Sequence, residues 1–223
     1  MSDALTYQIL PDDYDKFDYQ FKIIIIGDPS VGKSSITLKA MKNEFQEFYT
    51  ATVGFEFFTF HIKIESKVQR IQIWDTCGQE VYRSLIASFY QACALAVLVY
   101  SIDKRETFQN ISYWINEVKN QSHPDIKLIL VGNKNDLNDK REVSFEEGER
   151  LAKENEMEKF FETSAKSGEH VQELFVEIGK IMYKEQEKYA KMGKVMNYGR
   201  ISVGSHLKPN KDKEEEKEGK CFC

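Results

Sequence analysis

The chain has 223 residues, enough for one full-sized domain with extensions or two small ones. Its 41% hydrophobic and 30% charged content is that of an ordinary globular protein, and its net charge of −5 argues against nucleic acid as the main partner, since phosphate backbones call for a basic face. The four cysteines lack paired spacing, which points to a reducing compartment, and the scattered His61, His123, His170 and His206 offer no zinc-ligand spacing.

Residues 1–20 (MSDALTYQILPDDYDKFDYQ) are acidic, lack the basic start and apolar stretch of a signal peptide, and read as a flexible extension. Ser2 stands where N-myristoylation requires glycine. From Phe21 to Gly27 the sequence FKIIIIG is a continuous apolar run, expected of a strand covered on both faces. A helix is predicted from Gly32 to about Lys42. Phe58–Ile64 alternates, with Phe58, Phe60, Ile62 and Ile64 on one side, and a short Ser66–Lys67 turn leads to a second strand at Val68–Asp75, forming a hairpin.

Two further apolar strands, Leu95–Ile102 and Ile126–Gly132, flank a helix carrying Phe108, Ile111, Ile115 and Val118 on one face. The longest unbroken apolar run, Ala92–Tyr100, falls far short of the ~20 residues that span a bilayer. A charged helix near Phe145–Asn155, a short strand at Phe160–Thr163 and a last helix from about Glu169 to Tyr189 complete the pattern. Strands alternating with helices imply a mostly parallel sheet with helices on both faces. Beyond about Ala190 the apolar periodicity stops, and residues 190–223 are expected to lack stable structure.

Three constellations carry chemistry. Gly27-Asp-Pro-Ser-Val-Gly-Lys-Ser34, after a strand and opening a helix, matches G-x-x-x-x-G-K-[ST]. Gly27 and Gly32 let backbone N–H groups face phosphates, Lys33 supplies charge for the β- and γ-phosphates, and Ser34 offers a hydroxyl to Mg²⁺. This loop alone does not tell ATP from GTP. Trp74-Asp-Thr-Cys-Gly-Gln-Glu80 follows the hairpin: Asp75 suits a second magnesium contact, Gly78 permits close approach to a terminal phosphate, and Gln79 can hold an attacking water.

Asn133-Lys-Asn-Asp136 and Ser164-Ala-Lys166 each follow a strand. A fixed Asp136 carboxylate accepts the two N–H donors of guanine, a pair adenine lacks. Asn133 can reach the purine N7, the Lys134 stem can lie over the ring, and the Ala165 N–H can reach O6. Either motif alone is a common polar loop; both, in this order, select guanine.

This set, with Thr52, resembles the Ras superfamily of small GTPases over about residues 21–187. Within it, Thr52-Val-Gly-Phe-Glu-Phe57, Trp74-Asp-Thr-Cys-Gly-Gln-Glu80 and Glu162-Thr-Ser-Ala-Lys166 are similar to the Rab family. The resemblance implies an α/β P-loop GTPase domain at residues 21–189, a six-stranded mostly parallel sheet with one antiparallel edge strand. It implies that Ser30, Val31, Gly32, Lys33, Ser34 and Ser35 cradle phosphates, that Phe45 stacks on the base, and that Ser34 and Thr52 bind magnesium directly with Asp75 behind them. Lys33, Thr52 and Gln79 would be the catalytic residues, and Ser164, Ala165 and Lys166 would line the base.

Residues 48–58 and 77–91 would be two switches ordered by the γ-phosphate, with Phe57, Trp74 and Tyr90 as an effector-facing aromatic patch. Unaided hydrolysis in that superfamily is roughly 10⁻⁴ s⁻¹, and a partner's arginine raises it about 10⁵-fold. No arginine here has an obvious role in cis; Arg83 lies in the second switch. The implied partners are therefore a GTPase-activating protein, an exchange factor and effectors. Pro29, Cys77 and residues 89–93 depart from the family pattern. Pro29 has no N–H, and its ring can crowd an incoming arginine.

Cys221-Phe-Cys223 matches a C-x-C pattern on which Rab proteins receive two geranylgeranyl groups. A metal site or a local disulfide are the alternatives. One lipid chain gives marginal binding and two hold a protein on a membrane. The segment 191–220, with eight Lys/Arg against five Asp/Glu, is too weakly basic to supply the second signal. The implied location is the cytoplasmic face of intracellular membranes with a cytosolic pool, served by a prenylation escort and a GDP-dissociation inhibitor. A Rab-like switch in vesicle trafficking is the leading reading; a GTP-binding scaffold with little hydrolysis and a P-loop ATPase or kinase are the others.

Overall fold

The computed structural model describes residues 5–47, 55–76, 90–194 and 196. In chain order the strands are β1 (Tyr7–Leu10), β2 (Tyr19–Ile26), β3 (Phe55–Ile64), β4 (Lys67–Thr76), β5 (Leu95–Ser101), β6 (Lys127–Asn133) and β7 (Lys159–Thr163). The α-helices are α1 (Lys33–Lys42), α2 (Arg105–Gln109), α3 (Ile111–Gln121), α4 (Phe145–Glu154) and α5 (Val171–Lys191). A 3₁₀ turn, Asn135–Lys140, follows β6.

The sheet order is β1-β3-β4-β2-β5-β6-β7. β2 pairs in parallel with β4 and β5, and β6 with β5 and β7; β3 runs antiparallel to both of its neighbours. The isoleucine run of β2 explains why the sheet is covered twice. Phe21, Ile23 and Ile25 face one core, closed by Ile36 of α1 and by Leu174, Phe175 and Ile178 of α5. Ile24 and Ile26 face a second core with Ile111, Trp114 and Val118 of α3. Alternate residues of a strand point to opposite faces, so a strand apolar at every position needs a layer on each.

The mostly parallel α/β sheet is as the sequence predicts, but among the described residues it has seven strands, not six, and the added strand takes the edge from β3. It comes from the stretch read as a flexible extension. Residues Tyr7 to Leu10 pair with Ile64 to His61 of β3, while Leu5 and Ile9 pack against the first core. The Thr6 N–H donates to the Glu65 carboxylate at 2.6 Å and the Glu65 N–H returns a bond to the Thr6 carbonyl at 3.0 Å. Asp18 closes the segment by accepting from Lys67 Nζ at 3.0 Å and the Val68 N–H at 2.8 Å. These bonds and the buried apolar contacts offset the entropy of ordering the lead-in.

Two smaller differences have local causes. The predicted single helix through Phe108 and Val118 is two, separated by the single residue Asn110, which closes α2 and occupies the N-cap position of α3 without a side-chain cap bond. Beyond α5, Met196 is 1% exposed and packs into the first core, so the domain reaches past Ala190.

Candidate active site

The loop between β2 and α1 lies at the end of the parallel strands where α/β sheets place their ligands. Gly27 has φ +144°, and a Cβ there would sit 2.1 Å from the Val99 carbonyl oxygen of β5. Gly32 has φ +97°, and a Cβ there would meet the Asn133 amide at 2.3 Å. Both glycines are therefore required by space as well as by backbone conformation. Ser30 also adopts positive φ, while Val31, Lys33 and Ser34 are buried and Ser35 half-buried. The Lys33 ammonium donates to the Gly27 carbonyl at 2.9 Å and the Asp28 carbonyl at 2.8 Å, which fixes a positive charge inside the loop.

Asp75 ends β4 fully buried, and neither of its carboxylate oxygens has a hydrogen-bond partner among the described residues. Burial pushes its pKa up to about 6, and Glu56 adds to the rise, against the pull of the neighbouring Ser34 hydroxyl and the Lys33 ammonium. A buried carboxylate with open lone pairs beside a hydroxyl fits a divalent cation. The residues present are thus compatible with Mg²⁺ at this position.

Beyond β6, three motifs interlock. Asn133 Nδ2 donates to the Val31 carbonyl at 2.8 Å, and its Oδ1 accepts from Thr163 Oγ1 at 3.1 Å and from the Ala165 N–H at 3.3 Å. The sequence reading aimed the Asn133 amide and the Ala165 N–H at the purine; in the structure they bond to each other and to the phosphate loop. Asp136 is exposed and accepts from Ser164 Oγ at 2.6 Å. Lys134 is in the left-handed region with φ +68°, its ammonium pKa lowered by burial. Lys166 and Phe45 are exposed. Thr52, Gly78 and Gln79 lie outside the described residues, as do Cys77, Arg83, Cys221 and Cys223.

One residue that the sequence reading missed organises the side of the site that carries Asn133–Asp136. Arg141 donates from both guanidinium arms to the two carboxylate oxygens of Glu162, from the same arms to Val143 O and Asn135 Oδ1, and from Nε to Asn138 Oδ1. This fork ties the turn that carries Asp136 to the strand that leads into Ser164. Nothing in the sequence marks it, since its partners are up to 21 residues away and the motif pattern omits it.

The expected aromatic patch is changed in one member. Phe55 stacks on Trp74 with centroids 5.1 Å apart and Phe57 meets it edge-on at 5.6 Å; both phenylalanines are nearly half exposed. Tyr90 is 2% exposed and belongs to the second core, because its side chain packs beneath β5 and α3 instead of beside β3. Cys93, also in that core, has its thiol pKa pushed up to about 12 by burial, which makes it a packing residue and no nucleophile.

The sequence profile of the Ras family matches residues 22–184, well over half of the chain. The Ras-related protein RABA1b of Arabidopsis thaliana is 43% identical over 164 residues, covering 74% of this chain and 76% of that protein. With the phosphate loop, the buried Asp75 and the interlocked Asn133–Asp136 and Ser164–Lys166 segments in place, the chain belongs to the Ras family, and within it to the Rab small GTPases: a GTP-hydrolysing switch of membrane trafficking.

Proposed function

We propose that the nucleotide is clasped by the residues that the motifs single out. The backbone from Ser30 to Ser35 and the Lys33 ammonium take the phosphates; Asp136, the Asn133–Ala165 pair and the Lys134 stem take the guanine, with Phe45 and Lys166 at its rim. Ser34, Thr52 and Asp75 would hold Mg²⁺, which supplies charge neutralisation at the β- and γ-phosphates when bound. Thr52 and Gln79 would order the attacking water, and Lys33 would stabilise the charge that develops as the terminal phosphoryl group leaves.

The observation that carries this reading is the hydrogen-bonded link from Val31 through Asn133 to Ala165. It joins the phosphate end and the base end of the site in one rigid piece. Competition of GTP, GDP and ATP for the purified protein tests it: guanine nucleotides should win by orders of magnitude, and equal competition would overturn it. Single-turnover hydrolysis, with Gln79→Leu as control, tests the catalytic assignment. Equal, slow rates for both proteins, with and without an activating protein, would favour the scaffold reading that Pro29 raises.

The same reading extends to partners and place. The exposed Phe55 and Phe57 beside Trp74 suit an effector surface that changes with the bound nucleotide. An exchange factor and an activating protein would set the timing. Cys221 and Cys223 would carry two lipids, with a prenylation escort to deliver them and a GDP-dissociation inhibitor to shield them, placing the protein on the cytoplasmic face of intracellular membranes. Among the described residues no helix is long and apolar enough to cross a membrane. Intact mass of membrane-derived protein checks the lipids: an unmodified C-terminus removes the claim.

A further inference from the structure

Asp28 follows Gly27 in the phosphate loop, yet its carboxylate turns away from the loop. Oδ2 accepts from Asn110 Nδ2 at 2.8 Å and Oδ1 accepts from Trp114 Nε1 at 2.8 Å. Asn110 occupies the N-cap position of α3 and Trp114 lies one turn on, so both donors come from one face of that helix. Trp114 is 5% exposed and seated in the second core, which makes it a rigid anchor. The backbone of the same Asp28 supplies one of the two carbonyls that hold Lys33 Nζ, and the other comes from Gly27, pressed against Val99 of β5.

The loop is thus pinned at two separate points. Its second half is fixed from β6, through Asn133 and Val31. Among the described residues no such bond ties its first half to β6; β5 and α3 hold it instead. We propose that Asp28, through Asn110 and Trp114, is a positioning residue that sets the Lys33 ammonium against the nucleotide phosphates. This rests on the reading above that Lys33 serves those phosphates. In this role Asp28 acts through the backbone. It orients the two carbonyls, and they orient the cation.

Each carboxylate oxygen faces one N–H donor, so the hydrogen-bond pattern can be inverted and restored. In Asp28→Asn the amide nitrogen must face one of those donors, and a bond is replaced by a donor–donor clash. In the double variant Asp28→Asn with Asn110→Asp, the new amide nitrogen faces the new carboxylate while its oxygen still accepts from Trp114. Both bonds return with the charge moved across the gap. Trp114→Phe keeps the ring in the core and removes only the donor.

The test measures GDP release and the ³¹P resonance of the bound β-phosphate in the full-length protein. Release should be about 10-fold faster in Asp28→Asn and about 3-fold faster in Trp114→Phe. The ³¹P line should shift in both and return, with the release rate, in the double variant. A purely structural role would lower melting temperature and leave the ³¹P line of the bound nucleotide in place. Unchanged release and ³¹P in both single variants would overturn the proposal, and so would a double variant that stays as fast as Asp28→Asn. Wild-type protein that fails to hold GDP would instead sink the site reading itself, a result separate from either.

Discussion

Arg70 of β4 donates from Nε to His61 Nε2 on β3 at 3.0 Å, with His61 only 2% exposed. The Arg70 guanidinium also lies 4.0 Å from the centre of the Phe17 ring, and the Tyr14 ring stands 6.4 Å from the imidazole. This pair is the seat on which the N-terminal segment rests. It requires a neutral imidazole whose Nε2 carries no proton, because a second donor facing a guanidinium is both unbonded and repelled.

A pH dependence follows. Burial of the ring, and then the Arg70 cation, hold the His61 pKa below its ordinary 6.5, partly countered by Asp12 and the Pro11 carbonyl. Below about pH 6.5 the unfolded chain gains a proton that the folded chain refuses, so this contribution to stability is full above 6.5. It falls as the pH drops from there to the lower folded value, and then levels off. Urea midpoints between pH 7.5 and 5 should fall faster for wild type than for His61→Gln, which keeps an acceptor for Arg70 and loses the titration. Parallel curves would dismiss the assignment. Asp75, with its raised pKa, titrates in the opposite sense and cancels in the comparison.

The edge strand is expected to contribute measurable stability. Ile9 packs against the first core from β1. Ile9→Ala should cost about 1–2 kcal/mol, less than a fully buried isoleucine because the site is only half covered. Chemical denaturation at neutral pH measures it; a change under about 0.3 kcal/mol would mean that the lead-in does not hold its place in solution.

Arg141→Ala should be the most damaging loop substitution. It leaves the buried Glu162 carboxylate without its bidentate partner and frees the turn that carries Asp136. Removing one member of a buried pair costs 3–5 kcal/mol, and since Arg141 keeps some contact with water about 2–3 kcal/mol is expected. Arg141→Lys should recover little, because a single ammonium cannot span both oxygens. Thermal melts of the nucleotide-bound protein would register the loss, together with weaker GDP retention.

Asp136→Ala separates recognition from folding. Its side chain is exposed but accepts from the buried Ser164 hydroxyl, so stability should fall by only about 1 kcal/mol. Affinity for GDP should fall by about 10- to 100-fold as the acceptor for the guanine edge disappears. Isothermal titration with GDP gives the answer, and retained affinity would place the base elsewhere.

How much of this was legible in the sequence depended on how far apart the partners lie. Ile23–Ile26 announced a strand buried on both faces within four residues, and Gly27–Ser34 announced a phosphate loop within eight, because the chemistry itself is local. The strand Tyr7–Leu10 is too short to show its period before Pro11 and the acidic residues that follow, and its partner begins more than 50 residues later. Charge composition therefore suggested a loose lead-in where tertiary pairing makes a strand. Asn110 hid the break between α2 and α3, since Phe108, Ile111, Ile115 and Val118 keep helical spacing across it. In the site, the motifs name candidate residues, while the bonding of Asn133 to Val31 and Ala165 emerges only once three distant loops meet.

The border that β1 covers has a bearing on solution behaviour. In a protein begun at Tyr19, the outward N–H and C=O groups of His61–Ile64 would stand open beside uncovered isoleucines, an invitation to intermolecular pairing. Light scattering should find that shortened protein sticking to itself at concentrations where the 223-residue chain stays dispersed. The acidic lead-in thus acts as a built-in guard for the sheet, shielding its most adhesive margin with a ribbon of the same chain.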